Sequence, residues 1–326
     1  MIVRMNEKVL FPKADASEYQ ANVSQLQALL LACQQSLYYG LVEISYPSRE
    51  RIALFFVENK VTCVYSANLG DWTRIPVDEY ISLLENAESS VRIVPLPLEG
   101  IRIGKVMLEC KNTGNTFTIP TSDLKIHLEE WQRLPRITIN HVHWIDAEAI
   151  FIVPGHRMPI QMALFASQEQ VLGGEKALAR ALAWHELQCE VTTYADEIRT
   201  DACLEYHLHL YFTIVLELIL KRYDELAGHG LANIVSGALS DMAGKQGWHI
   251  QAMDGIVTDN EIFNSHQAAF AAFQTLAGAC LSQIETVLGP KLTSTIVEEA
   301  IQSIDKTGQE ILLQYPILNH KEVIHG

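Results

Sequence analysis

The chain has 326 residues, 48% of them hydrophobic, and a formal charge of −15. That length suggests two domains, and the apolar content is ample for a buried core in each. An acidic surface repels phosphate backbones and anionic membranes, so nucleic-acid binding is disfavoured. From residue 201 onward 6 Lys/Arg face 15 Asp/Glu. A basic partner would be drawn there, although a need for solubility would produce the same bias.

The cysteines (Cys33, Cys63, Cys110, Cys189, Cys203 and Cys280) are scattered, without a CxxC pair, and sit mostly in apolar contexts. That usage suits reduced core thiols in a cytosolic protein. Residues 1–8 lack the apolar h-region of a signal peptide. The most apolar run, 208–220, carries His209 and Glu217 and falls short of the ~20 residues that span a bilayer. It reads as a buried helix.

In chain order, residues 17–37 predict a helix capped by Ser17, with Leu26, Leu29, Leu30 and Cys33 on one face. Residues 41–46, 51–57 and 61–66 predict a three-stranded meander. Residues 76–86 have helical spacing, with Pro76 suited to a first turn. Residues 91–98 read as an extended edge, because Pro95 and Pro97 cannot donate to a ladder. Residues 101–110 and 116–120 read as strands around a turn at 112–115, and 122–132 as a short helix. Short strands at 137–139 and 147–153 precede a Pro154–Gly155 turn. Residues 158–166 are apolar, 174–186 predict a helix whose Ala/Leu face must bury against a sheet, and 189–194 predict a strand.

Beyond residues 195–200, the expected domain boundary, the pattern turns helical. Residues 201–226 and 231–245 predict two helices, broken at Gly228 and Gly230, and 247–255 a loop. Residues 265–288 and a stretch from Thr293 to Tyr315 predict two more, forming an αα-hairpin within a bundle. The fold class is therefore α+β: a mixed or antiparallel sheet domain with flanking helices over 1–198, then a helical bundle over 199–326.

Two segments resemble halves of the PATAN-like family of bacterial signalling domains. Residues 24–67 give a helix, then Tyr39-Gly40-Leu41-Val42-Glu43-Ile44, then two strands around a turn. Residues 148–194 give a strand, the Pro154–Gly155 turn, a helix of the form Gly, Ala-Leu, Ala-Leu-Ala-Trp ending at Trp184, and a last strand. Glu58-Asn59-Lys60 stands where the family has a glycine-bearing turn, and roughly 80 residues separate the segments. That separation is read as an insertion over about 70–146 in one domain, with two degenerate copies as the other arrangement. The resemblance implies a non-enzymatic module of signal transduction, linked to two-component systems, motility or pili.

Few residues carry chemistry. His141 and His143 lie two apart on an expected strand, so both rings project from one face as metal ligands would. His156 lies near in sequence, and Asp146 and Glu148 are the nearby carboxylates. A polar histidine pair with no metal explains the same spacing. On the long helix Cys203/His207 and Glu205/His209 are each four apart but face different ways. His185–Glu186 fails the HExxH pattern, because position 189 is Cys. No nucleophile elbow, dinucleotide loop or P-loop occurs, so no catalytic residue and no cofactor is expected. Trp248, His249, Met253 and Asp254 are the candidates for partner recognition, being on a loop between helices. The expectation is a cytoplasmic regulatory or adaptor protein binding protein partners, some with a basic face, and able to form a homodimer. A small-molecule or metal sensor, or an enzyme of unrecognised type, are the other readings.

Overall fold

The computed structural model describes residues 10–37, 39–68, 71–84, 88–110, 115–156, 158–160, 162–195 and 200–318. Residues 112–114 of the expected turn at 112–115 and residues 196–199 of the expected boundary at 195–200 lie outside the described residues, as do residues 1–9 and 319–326. The chain divides into two compact units, Met1–Thr200 and Asp201–Gly326.

The first unit contains β1 (Ser17–Ala21), α1 (Val23–Ser36), β2 (Tyr39–Ser45), β3 (Glu50–Val57), β4 (Lys60–Asn68), β5 (Asp71–Ile75), a 3-10 turn (Val77–Leu83) and β6 (Ser89–Pro95). After α2 (Leu98–Glu109) come β7 (Asn115–Pro120), α3 (Leu124–Gln132), β8 (Thr138–His143), β9 (Ala147–Val153), β10 (Met162–Ser167), β11 (Val171–Gly173), α4 (Gly174–Leu182) and β12 (Gln188–Ala195). The first sheet runs β1-β6-β2-β3-β4-β5 and the second β11-β10-β9-β8-β12-β7. Every neighbouring pair described is antiparallel.

These two strings of elements are the same string. In each, the first strand leads to a helix, four more strands follow, a helical turn intervenes, and the last strand inserts between the first and second. Residues 70–146 are therefore no insertion. Their first part completes one sheet with β5 and β6, and their second part starts the other with β7 and β8.

Each sheet covers one face with its own helices. Val42, Ile44, Leu54, Phe56 and Val64 pack with Leu26, Leu30 and Cys33 of α1. Val142, Ala149, Phe151, Ala163, Phe165 and Val191 pack with Leu124 and Leu128 of α3 and Ala177 and Ala181 of α4. The Ala/Leu helix therefore buries on a sheet as its sequence requires. On the opposite faces lies α2, which touches β2 and β5 of the first sheet and β10 and β11 of the second. Eight of its residues, including Ile101, Ile103, Gly104 and Leu108, are buried, as expected of a helix enclosed on all sides. At Gly104 an added Cβ would come within 2.8 Å of the Phe55 ring, so only glycine permits this approach.

Several local expectations need correction. Residues 101–110 form α2 and no strand, because Arg102 and Lys105 set between apolar residues make its short run mimic a strand. Residues 17–21 form β1, and Asn22 caps α1 in Ser17's place through a capping box with Gln25. β6 lies between β1 and β2 and is no edge. Its prolines fall where no ladder bond is lost: Pro95 ends the strand and Pro97 precedes α2. Residues 77–83 wind as a 3-10 turn.

The second unit contains α5 (Asp201–Ala227), α6 (His229–Gln246), a hairpin of β13 (Ile250–Met253) and β14 (Ile256–Asp259), α7 (His266–Leu288), α8 (Pro290–Ser303) and α9 (Lys306–Gln314). α7 is capped by Ser265 and closed by Gly289. The expected final helix is two, divided where Ile304 turns extended and Asp305 caps α9. α5 packs on α6, α7, α8 and α9. Among the described residues α5 is the one helix long and apolar enough to cross a membrane, and 72% of its most apolar window is buried inside the unit. It is the core helix of the bundle.

Candidate functional site

Two places gather the residues singled out in the sequence. The first lies in the second sheet. Val142 faces the α3/α4 core, so His141 and His143 project from the other face of β8. The hairpin register sets His143 opposite Glu148 of β9, and β12 sets Glu190 opposite His143. His141 Nε2 lies 2.7 Å from Glu148 Oε2, and the two imidazole rings are 3.7 Å apart. One ligand atom from each of His141, His143 and Glu148 falls within 4.8 Å of the other two.

Burial makes this cluster costly. Glu148 is fully buried and His141 is 8% exposed. The carboxylate needs compensation, and its other oxygen accepts the Lys13 N–H at 2.9 Å. His143 is pushed down to about 4, first by burial and then by repulsion from His141, with Glu148 opposing and Lys13 assisting. It is therefore a neutral imidazole at pH 7, with a lone pair. His143 also lines an open cleft of about 730 Å³, together with Trp144, His185, Glu186, Leu187 and Glu190.

His156 does not belong to this cluster. It sits in the turn past Val153, the far end of β9 from Glu148, with φ +50° and its N–H donating to Leu134 O. Glu186 lines the same cleft. It accepts Trp184 Nε1–H at 3.0 Å and the Ile145 and Asp146 N–H groups at 2.8 and 3.2 Å. On the long helix, Glu205 lies 3.9 Å from His209, and His209 Nδ1 is paired with Asp259. This polar group takes its third member from β14 and not from another helix.

The second place is the β13–β14 hairpin. The expected loop at 247–255 is in part this hairpin, with Met253 opposite Ile256 across a two-residue turn. Asp254 and Gly255 have φ of +51° and +77°, so the turn is the primed type that matches strand twist. The Asp-Gly pair between alternating residues is the sequence signal for it. Ile250, Ala252 and Val257 point inward and are buried. Ser240 Oγ accepts Ala252 N–H at 2.9 Å, and Glu217 Oε1 accepts Val257 N–H at 2.9 Å, which pins both strands to the helices.

The four recognition candidates separate along this hairpin. Trp248 precedes β13, is half-buried, and meets the Phe263 ring edge-on at 6.4 Å. His249 lies beside Glu261, whose Oε2 accepts its backbone N–H at 2.8 Å. At the other end, Met253 is 73% exposed and Ile256, which the sequence reading missed, is 64% exposed. Asp254 and Ile256 line a pocket of about 340 Å³ with Glu217, Lys221, Asp224 and His229. His229 Nδ1 lies 3.5 Å from Asp224, and its Nε2 lies 3.7 Å from Asp254.

No protein-family model and no curated protein matches this chain. Among solved structures, the DNA polymerase III subunit beta from Pseudomonas aeruginosa is similar at 11% identity and a TM-score of 0.14. The match covers 55% of this chain and 65% of that one. At that score it carries no argument about fold or function.

Proposed function

We propose that this chain is a non-enzymatic regulatory adaptor of bacterial signal transduction that works by protein–protein contact, with its first unit two PATAN-like modules in tandem. The repeated string of elements supports the tandem reading. The first segment of resemblance covers the early elements of one copy, and the second covers the late elements of the other.

The observation that carries the adaptor reading is the Met253–Ile256 pair. Two large apolar side chains stand in solvent side by side, on a hairpin whose inward residues are buried and whose backbone is tied to Ser240 and Glu217. Rigid presentation lowers the ordering cost of binding. The adjoining pocket is lined by Glu217, Asp224 and Asp254 against Lys221, so the partner face presents Lys or Arg beside apolar groups. Buried thiols at all six cysteines support a cytoplasmic setting. Homodimerisation through the same hairpin is a second use of this surface.

A photocrosslinking residue at position 253 tests the reading. It should capture a partner, or a second copy of the chain, and capture should vanish when Ile256 is changed to Asp. Equal capture from an inert exposed position such as Lys306 would refute it.

A further inference from the structure

We propose that His141, His143 and Glu148 bind one divalent transition-metal ion, of which Zn²⁺ is the best chemical match.

Two imidazoles and one carboxylate form a three-ligand set with a fourth position left for water or a partner's side chain. Each ligand is placed by the sheet. The two-residue period of β8 puts both rings on one face, and the β8–β9 register brings Glu148 beside them. The ligand atoms already converge within 4.8 Å. Zinc bonds to nitrogen and oxygen are ~2.0–2.2 Å, which sets tetrahedral ligand atoms somewhat more than 3 Å apart. The 2.7 Å His141–Glu148 contact therefore opens slightly on binding, so that the ring nitrogen turns its lone pair to the ion.

Three features distinguish the cluster from an ordinary ion pair. Glu148 has an outer partner that orients it: the Lys13 N–H holds Oε1 and directs Oε2 toward the rings, as supporting groups do around metal ligands. The His141 and His143 rings are held close, with centroids 3.7 Å apart and planes tilted by 41°. The third feature is an entry path, because His143 opens onto the 730 Å³ cleft. Among the described residues, the Lys13 ammonium is a positive charge that acts on His143, and it is bonded to Ile145 O at the surface. Against it stand Glu148 itself, Glu190 opposite His143, and Glu186 along the cleft.

The adaptor reading does not require this site, so each stands or falls alone. The test uses full-length, tag-free protein stripped by chelator at pH 7.5, titrated with Zn²⁺ alone, then with Co²⁺. Wild-type should take up one Zn²⁺ per chain and give a four-coordinate Co²⁺ absorption band. His143→Ala should weaken Zn²⁺ binding by at least about tenfold, while His229→Ala, on the other unit, should bind as wild-type does. Should His143→Ala lose its cooperative melt, His143→Gln replaces it. Zn²⁺ should also shift the ring resonances of His141 and His143 in the unaltered protein. Uptake no greater in wild-type than in a folded His143 variant, or unmoved ring resonances, would overturn the site.

Discussion

Glu43 and Glu148 grip the same turn of chain from two different sheets. Glu43 of β2 accepts the Leu10 N–H at 3.1 Å, and Glu148 of β9 accepts the Lys13 N–H at 2.9 Å. Arg92 completes the hold by donating to Leu10 O at 2.7 Å and to Glu43 at 2.8 Å. Further along, the Asp15 N–H reaches Ser167 O of β10. Leu10 and Phe11 are buried within this turn. Each copy thus contributes one buried carboxylate, with one oxygen holding this backbone and the other facing a side chain, Arg92 for Glu43 and His141 for Glu148.

Removing Glu43 leaves the Arg92 guanidinium without its carboxylate in a nearly dry site. Glu43→Ala should cost about 3 kcal/mol or more, the usual loss when one partner of a buried pair is deleted. Glu148→Gln keeps an acceptor for Lys13 and should cost about 1–2 kcal/mol. Because one turn of chain couples them, the double variant should depart from additivity by about 0.5 kcal/mol or more. Urea denaturation followed by tryptophan emission measures all three, since Trp131, Trp144 and Trp184 belong to this unit.

Much of this architecture was legible in the chain. Short apolar runs bounded by turn residues marked β2, β3, β9 and β12, and the switch to helical spacing at residue 201 marked the bundle. Two degenerate copies stood only as the second arrangement, because each copy fills its core with different residues and the likeness lies in element order. α2 was hidden because its run is short and Ile101-Arg102-Ile103 alternates as a strand does. The His141–His143 face was readable from a spacing of two. Glu148's place beside it depended on the hairpin register, which sequence spacing alone does not supply. Ile256 was missed because residues 247–255 read as a loop, and only the Asp254–Gly255 turn sets Ile256 opposite Met253.

Trp248 and Met253 should respond in opposite ways. Trp248 is half-buried on Phe263, so Trp248→Ala should cost the second unit about 1–2 kcal/mol. Met253→Asp removes a solvent-exposed side chain and should stay within about 0.5 kcal/mol of wild-type. Partner capture should follow Met253 and not Trp248. Thermal melts beside crosslinking yields decide the assignment.

Gly255→Ala isolates backbone strain. Its φ is +77°, and an added Cβ would meet nothing within 4 Å, so no clash confuses the result. A left-handed alanine should cost about 1 kcal/mol. Amide exchange at Met253 and Ile256 should quicken first, because the turn is the hairpin's free end. Unchanged exchange would mean that the anchors at Ser240 and Glu217 hold the strands without the turn.

Cys280 is wholly enclosed on α7, and burial pushes its thiol up to about 12. The thiolate is the reactive form, so native Cys280 should resist iodoacetamide at pH 8. Burial also raises Cys33 and Cys189. Mass spectrometry should find alkylation of these three only after denaturant is added. Fast labelling of Cys280 in the native protein would show that the bundle opens around α7.

Glu186 gives the first unit an acid-sensitive clasp. Slight burial raises its carboxyl, but bonds from Trp184 and from the Ile145 and Asp146 N–H groups, with His185 nearby, outweigh that and hold it below the usual value. The folded chain therefore binds this proton less readily than the unfolded one. The stabilisation is fully present above the unfolded carboxyl value, ~4.3, and is lost as pH falls through the lower folded value. Because the indole of Trp184 is bonded to Glu186 itself, its emission should change over that acidic window. Glu186→Gln should abolish the titration while leaving the protein folded at pH 7, since the contacts are exposed and the one amide oxygen still accepts one of the two backbone N–H groups. A titration that survives in the variant would assign the acid response to another carboxylate.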